Sequence, residues 1–222
     1  MNSGKYTVKA NFKIGTAKTW ATTDVDLVND TIRIANHGFK TGDAVGLSTT
    51  GAVPTGLTAL STAYYIIQVD GSKVGLATSR ANAFAGTKVN LTAVGSGVGT
   101  MQKGALGVTY SGVIIPKNHT IVNASYKVVT TGASPTGVDN GTLAITTLDT
   151  AAASLTLVAA AAISTGTTWD ATGAHVLCVP DMATVGDYLT TAADAEVVFT
   201  TATDAWSAGE VNVYIDVVPA LP

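Results

Sequence analysis

Apolar and polar residues alternate along this chain in short runs separated by Gly-, Asn- and Asp-rich turns. Tyr6, Val8, Ala10, Phe12 and Ile14 fall on one side of an extended segment, with Thr7, Lys9, Asn11 and Lys13 on the other. A period of two predicts a half-buried β-strand. The pattern returns near the far end, where Val211, Val213, Ile215 and Val217 interleave with Asn212, Tyr214 and Asp216. The first strand has no obvious partner close by in sequence. The two segments are therefore expected to belong to one sandwich, with the intervening residues inserted between them.

Residues 20–103 read as that insertion, a small β-barrel-like module. Val25-Asp26-Leu27 and Thr31-Ile32-Arg33-Ile34 form a hairpin turned at Asn29-Asp30, and Asp43–Ser48 is a short strand. Ala63–Val69 and Lys73–Ala77 are joined by Asp70-Gly71-Ser72, a strong hairpin signal. Ser79–Phe84 is the one expected helical turn, with Ser79 as its N-cap. Val89–Ala93 and Gly99–Gln102 are expected to close the module. Six or seven short strands in this span favour a barrel, which removes exposed edges.

Residues 1–19 and 104–222 then form the second unit, a jelly-roll-like antiparallel sandwich. Its strand candidates are Gly107–Tyr110, Thr120–Thr130, Gly141–Thr147, Ser154–Ala160, His175–Val179, Tyr188–Thr191, Ala195–Thr200 and Glu210–Val218. Alanine propensity alone makes Leu148–Ala162 a helix. Leu155, Leu157 and Ala159 alternate between Thr-rich flanks, however, and a strand is the reading adopted. The fold class is all-β.

Composition sharpens this picture. The chain has 222 residues, 36 of them Thr and 23 Gly; Thr suits a pleated surface and Gly supplies turns. Only 12% of residues are charged, and the mean hydropathy is +0.34. A surface so poor in charge is prone to self-association unless a partner covers it. The net charge of −3 and the scatter of the 12 Lys and Arg argue against nucleic acid and anionic membranes as partners, because both demand a basic stripe. No apolar run approaches the ~18 residues that span a bilayer; the longest, Leu155–Ile163, is flanked by Ser and Thr. Met1–Lys5 lacks the apolar core of a secretory signal, so synthesis and assembly in a cytoplasm are expected.

Candidate chemistry is sparse. His37 and Asp43 could face each other across the Gly38–Gly42 loop, but Gly-permitted tight turns account for both. Asp24, Asp26 and Asp30 resemble the start of a calcium loop, yet the central Gly and terminal Glu are missing. Gly95-Ser96-Gly97-Val98-Gly99 continues into extended chain rather than a helix, so it reads as a hairpin and not a phosphate loop. Cys178, the only cysteine, sits in an apolar run and reads as a buried, inert residue. Trp20, Trp169 and Trp206 are isolated from one another and read as packing residues. The expectation is of no catalytic, cofactor-binding or metal-binding residues and no enzyme activity.

One resemblance points to a role. Between residues 35 and 83, His37-Gly38-Phe39 is followed by Thr41-Gly42-Asp43, a Pro54-Thr55-Gly56-Leu57 turn and a strand containing Tyr64-Tyr65. In this order the motifs resemble a module that recurs in structural proteins of tailed bacteriophages. Val113-Ile114-Ile115-Pro116-Lys117 precedes the alternating Ile121–Val128, and Ser207–Tyr214 forms the last strand. That half is similar to head-decoration or accessory capsid proteins. The resemblance implies a capsid decoration or cement protein of the virion, assembled in the host cytoplasm. Its partners would be the major capsid protein and neighbouring subunits, and it would be a homo-oligomer, a trimer being one form. It brings no catalytic residue with it. A tail or head-fibre component and a surface glycan-binding adhesin module are the alternatives.

Overall fold

The alternating segments at the two ends of the chain pair with each other. The computed structural model describes residues 4–133, 140–148, 154–162, 168–169, 172, 175–177, 191, 193–203 and 205–220. β1 (Tyr6–Lys13) comes first. It is followed by β2 (Lys18–Trp20), β3 (Val25–Asp26), β4 (Thr31–Arg33), β5 (Ala44–Thr49), β6 (Tyr64–Gln68), β7 (Lys73–Ala77), helix α1 (Arg80–Ala85) and β8 (Gly99–Lys103). The chain continues through β9 (Gly107–Ile115), β10 (His119–Ala133), β11 (Asn140–Thr147), β12 (Ser154–Ala162), β13 (His175–Leu177), β14 (Ala195–Ala202) and β15 (Ala208–Pro219).

β1 runs antiparallel to β15 in unbroken register from Tyr6↔Val217 to Lys13↔Glu210. β9 likewise pairs with β14, β10 with β13 and β11 with β12. The first sandwich strand thus meets the last, the second meets the seventh, and so on inward. The β10–β15 and β11–β14 ladders join these nested pairs into two four-stranded sheets, β1-β15-β10-β13 and β12-β11-β14-β9. This wrapping is the jelly-roll topology. Val8, Ala10 and Phe12 of β1 and Val211, Val213, Ile215 and Val217 of β15 meet Leu143, Ile145, Val197 and Phe199 of the other sheet in one core. Full burial of each such Val, Ile, Leu or Phe contributes about 1.5–3 kcal/mol.

Two departures from strict alternation have a local cause. On β10 the register slips between Ile121 and Asn123 and between Val128 and Thr130. The extra residues are Val122 and Val129, which the bulges leave 36% and 39% exposed. β12 is a strand, as its alternation predicts, but register shifts oppose Leu143 and Ala144 of β11. Beyond Leu157, Val158 and Ala161 pack on the core and Ala159 is exposed.

The residues between β1 and β9 form a seven-stranded sheet of order β2-β8-β5-β6-β7-β4-β3 with its own core, which includes Trp20, Ile32, Val45, Leu47, Ile66, Val74 and Met101. Its edge strands β2 and β3 are separated only by residues 21–24, a stretch containing a 3₁₀ turn at Thr22–Asp24. The sheet must therefore curl back on itself, although among the described residues no ladder joins β2 to β3. The expected β6–β7 hairpin is present, and Ser79 caps α1 by accepting a hydrogen bond from the Asn82 N–H at 3.1 Å. Val89–Ala93 is not a strand. Its donors are met one at a time: the Val89 N–H by the Leu76 carbonyl, the Leu91 N–H by the Asp30 carboxylate at 2.7 Å, and the Thr92 N–H by the Thr55 carbonyl, while the Ala93 carbonyl accepts from the Thr55 N–H in an isolated bridge. Of the strand expected at Tyr188–Thr191 only Thr191 is described, and Cys178 also lies outside the described residues.

Candidate functional site

The residues of the motifs between His37 and Tyr65 bond within the insertion. The His37 ring is 3% exposed; its Nε2 donates to the Asp70 carbonyl at 2.8 Å and its Nδ1 accepts from the Phe39 N–H at 2.9 Å. Those partners require the Nε2–H tautomer and occupy both nitrogens. Thr41 Oγ1 accepts from the Gln68 N–H at 3.0 Å, and the Leu57 N–H closes its turn on the Pro54 carbonyl. The buried Tyr64 hydroxyl accepts from the Thr58 N–H at 2.9 Å. Asp43 takes the Lys40 N–H at 2.9 Å with one oxygen and the Lys103 ammonium at 2.7 Å with the other. His37 and Asp43 thus have separate partners and form no dyad.

The three aspartates of the second candidate are equally engaged. Asp24 accepts from the Ala21 N–H, and Asp30 from the Leu91 N–H. Asp26 accepts from the Val28 and Asn29 N–H groups and from the Asn29 amide. The Asn29 side chain and then its backbone hold the Asp26 carboxyl below its ordinary pKa. Among the described residues no group of three or more His, Cys, Asp or Glu could hold a metal ion. The glycine run serves close approach. A β-carbon on Gly95, whose φ is +77°, would stand 2.3 Å from the Ala52 carbonyl oxygen, and one on Gly99 would stand 2.1 Å from the Trp20 ring. Gly99 opens β8, not a helix, so the geometry of a phosphate loop is missing.

The tryptophans are not all isolated. Trp169 and Trp206, far apart in sequence, lie with ring centroids 6.2 Å apart in the sandwich core. Phe199 joins them at 5.3 and 5.5 Å, whereas Trp20 belongs to the core of the insertion. Sequence reading also passed over Glu196, which is 3% exposed within the apolar run of β14. Its carboxylate accepts from the Gly112 N–H and so holds the irregular turn of β9, where the register with β14 shifts. The only sequence signal was an acid among apolar neighbours.

Among the described residues, what remains available lies on the surface. A groove of about 410 Å³ runs along the junction of sandwich and insertion, past Ile14–Ala17, Gln102 and residues 207–210. Gln102 spans it by donating to the carbonyls of Gly15 and Ser207 at 2.9 and 2.8 Å. On a second side of the junction, the Arg80 guanidinium of α1 lies 3.8 Å from the centre of the Tyr110 ring on β9 and 5.4 Å from that of the 63% exposed Phe84. Burial, and after it the neighbouring Tyr110, pushes the Tyr65 phenol above its ordinary pKa. The outer face of β1 and β15 is a polar ladder: Thr7 and Lys5 meet Asp216, and Lys13 and Asn11 meet Glu210. Lys9 and Lys13 sit on β1, an edge strand, where charge opposes uncontrolled strand pairing. Larger apolar side chains are exposed at Val28, Phe84, Val98, Ile114 and Leu148.

The chain matches no family model, no curated protein and no solved structure.

Proposed function

We propose that this chain is a structural component of a tailed-bacteriophage virion, a capsid decoration or cement protein that binds the lattice of the major capsid protein as a homo-oligomer. One observation carries the reading: the His and Asp residues singled out in the sequence are spent on the chain's own turns. His37, Asp24, Asp26, Asp30 and Asp43 all bond backbone groups, as does Glu196, which the sequence did not single out. Among the described residues what remains exposed is weakly charged faces and sheet edges, which suit association with repeated protein surfaces. The motif order from His37 to Tyr65 supplies the phage context. The jelly roll is compatible with it, since capsid and lectin domains both use that topology, but a fold by itself carries no function.

Quantitative mass analysis of purified virions tests the proposal. A decoration protein is present at a fixed, high ratio to the major capsid protein and rebinds heads stripped of it. A few copies per particle would place it in the tail or in a head fibre. Absence from particles, together with binding of the isolated protein to host polysaccharide, would overturn the capsid reading in favour of an adhesin.

A further inference from the structure

Two buried polar side-chain atoms of the sandwich have no partner among the described residues. Trp206 Nε1 and Thr109 Oγ1 are both shielded from solvent, and neither meets a donor or acceptor among the described residues. Native folds carry few such groups, and most are met by ordered water. Both residues line one small cavity of about 10 Å³ between the two sheets. A space of roughly 10–15 Å³ on this measure holds a single water centre.

The surroundings suit that occupant. Thr109 on β9 is the register partner of Phe199, whose ring lies 5.5 Å from that of Trp206. Gly104, which follows β8, leaves the corner open. A β-carbon there would stand 3.4 Å from Thr109 Oγ1 and 3.5 Å from the main-chain oxygen of Lys13, and that oxygen offers a third hydrogen-bonding group. Indole N–H is donor only, while a hydroxyl both donates and accepts. A water has the groups to accept from an indole N–H and bond a hydroxyl at once, and both residues line the same cavity.

We propose that this cavity is a built site for one ordered water molecule bridging Trp206 Nε1 and Thr109 Oγ1. Lys13 is the last residue of β1 before the insertion, and Gly104 is the first after β8. The water therefore sits where the chain leaves the sandwich and returns to it, and it helps fix both crossings to the core.

A crystal structure of the full chain at a resolution that reveals ordered solvent, with the melting temperature of Thr109→Val, tests it. The expected result is a water peak within about 2.7–3.2 Å of both atoms and a T109V melting temperature lower by about 2–4 °C, the shift for one net hydrogen bond in a chain of this size. If the site is dry, the valine replaces an unmet hydroxyl with a methyl of the same shape and raises the melting temperature. An empty cavity, a water bound to only one of the two atoms, or a T109V melting temperature equal to or above the parent's overturns the proposal.

Discussion

Replacing Phe199 with alanine probes the centre of the sandwich most directly. The side chain is 3% exposed, and its ring centroid lies 5.7 Å from that of Phe12, 5.3 Å from that of Trp169 and 5.5 Å from that of Trp206. One ring thus ties β14 to β1 across the core and to both tryptophans. Truncating a buried Phe to Ala costs about 3–5 kcal/mol through lost transfer energy and the cavity left behind. Aromatic pairs contribute about 0.5–1.5 kcal/mol each beyond burial, so three of them place this site in the upper half, about 4–5 kcal/mol. For 150–250 residues each kcal/mol moves the melting temperature by about 2–4 °C, which sets the expected fall at about 8–20 °C. Tryptophan fluorescence is the assay. The chain has 3 Trp, and a Trp20→Phe background leaves Trp169 and Trp206 as reporters of the sandwich. A fall of less than about 4 °C would refute the claim that these four rings form one tightly packed unit.

Three further outcomes are expected. His37→Ala leaves the buried Phe39 N–H and the Asp70 carbonyl without their partner, so stability falls by about 1–3 kcal/mol; an unchanged urea midpoint would show that the ring does not hold that turn. Arg80→Ala and Tyr110→Ala, combined in a double-mutant cycle, give a coupling of about 0.5–2 kcal/mol from the cation–π contact between insertion and sandwich; additivity within about 0.3 kcal/mol removes that contact from the stability of the junction. Asp216 accepts from Thr7 Oγ1 at 2.6 Å and pairs with Lys5 at 2.9 Å, and Thr7 first, then Lys5, hold its carboxyl below the ordinary value. Because the native pKa is the lower one, this stabilisation is complete above the unfolded value of about 3.9 and is lost as pH falls through the native value. Asp216→Asn therefore lowers the urea midpoint near neutrality and flattens its decline in acid, whereas parallel pH curves for parent and variant would contradict the assignment.

Local chemistry made much of the architecture legible in the sequence. Period-two alternation marked β1 and β15, Asp70-Gly71-Ser72 marked the β6–β7 hairpin, and Ser79 marked the start of α1. Each of these signals acts over a few residues, through strand pleat, turn geometry or a side chain capping its own backbone. The same patterns made β12 a strand against its alanine content, because pairing with β11 outweighs the small energy per residue of alanine's helical preference. The individual turn residues were legible too, but not the partners that engage them: nothing near His37 names the Asp70 carbonyl.

Only the tertiary structure decided what depends on partners distant in sequence. Val122 and Val129 turn outward because bulges form against β15, and Val89–Ala93 stays out of the ladder because its donors find Leu76, Asp30 and Thr55 instead. The meeting of Trp169 with Trp206, the fit of the Trp20 ring over Gly99 and the hold of Glu196 on Gly112 join residues that no local window contains. A strand's pattern fixes which face is buried but not which neighbour it meets. That neighbour follows from how the chain fills the cores of sandwich and insertion without leaving backbone groups unpaired.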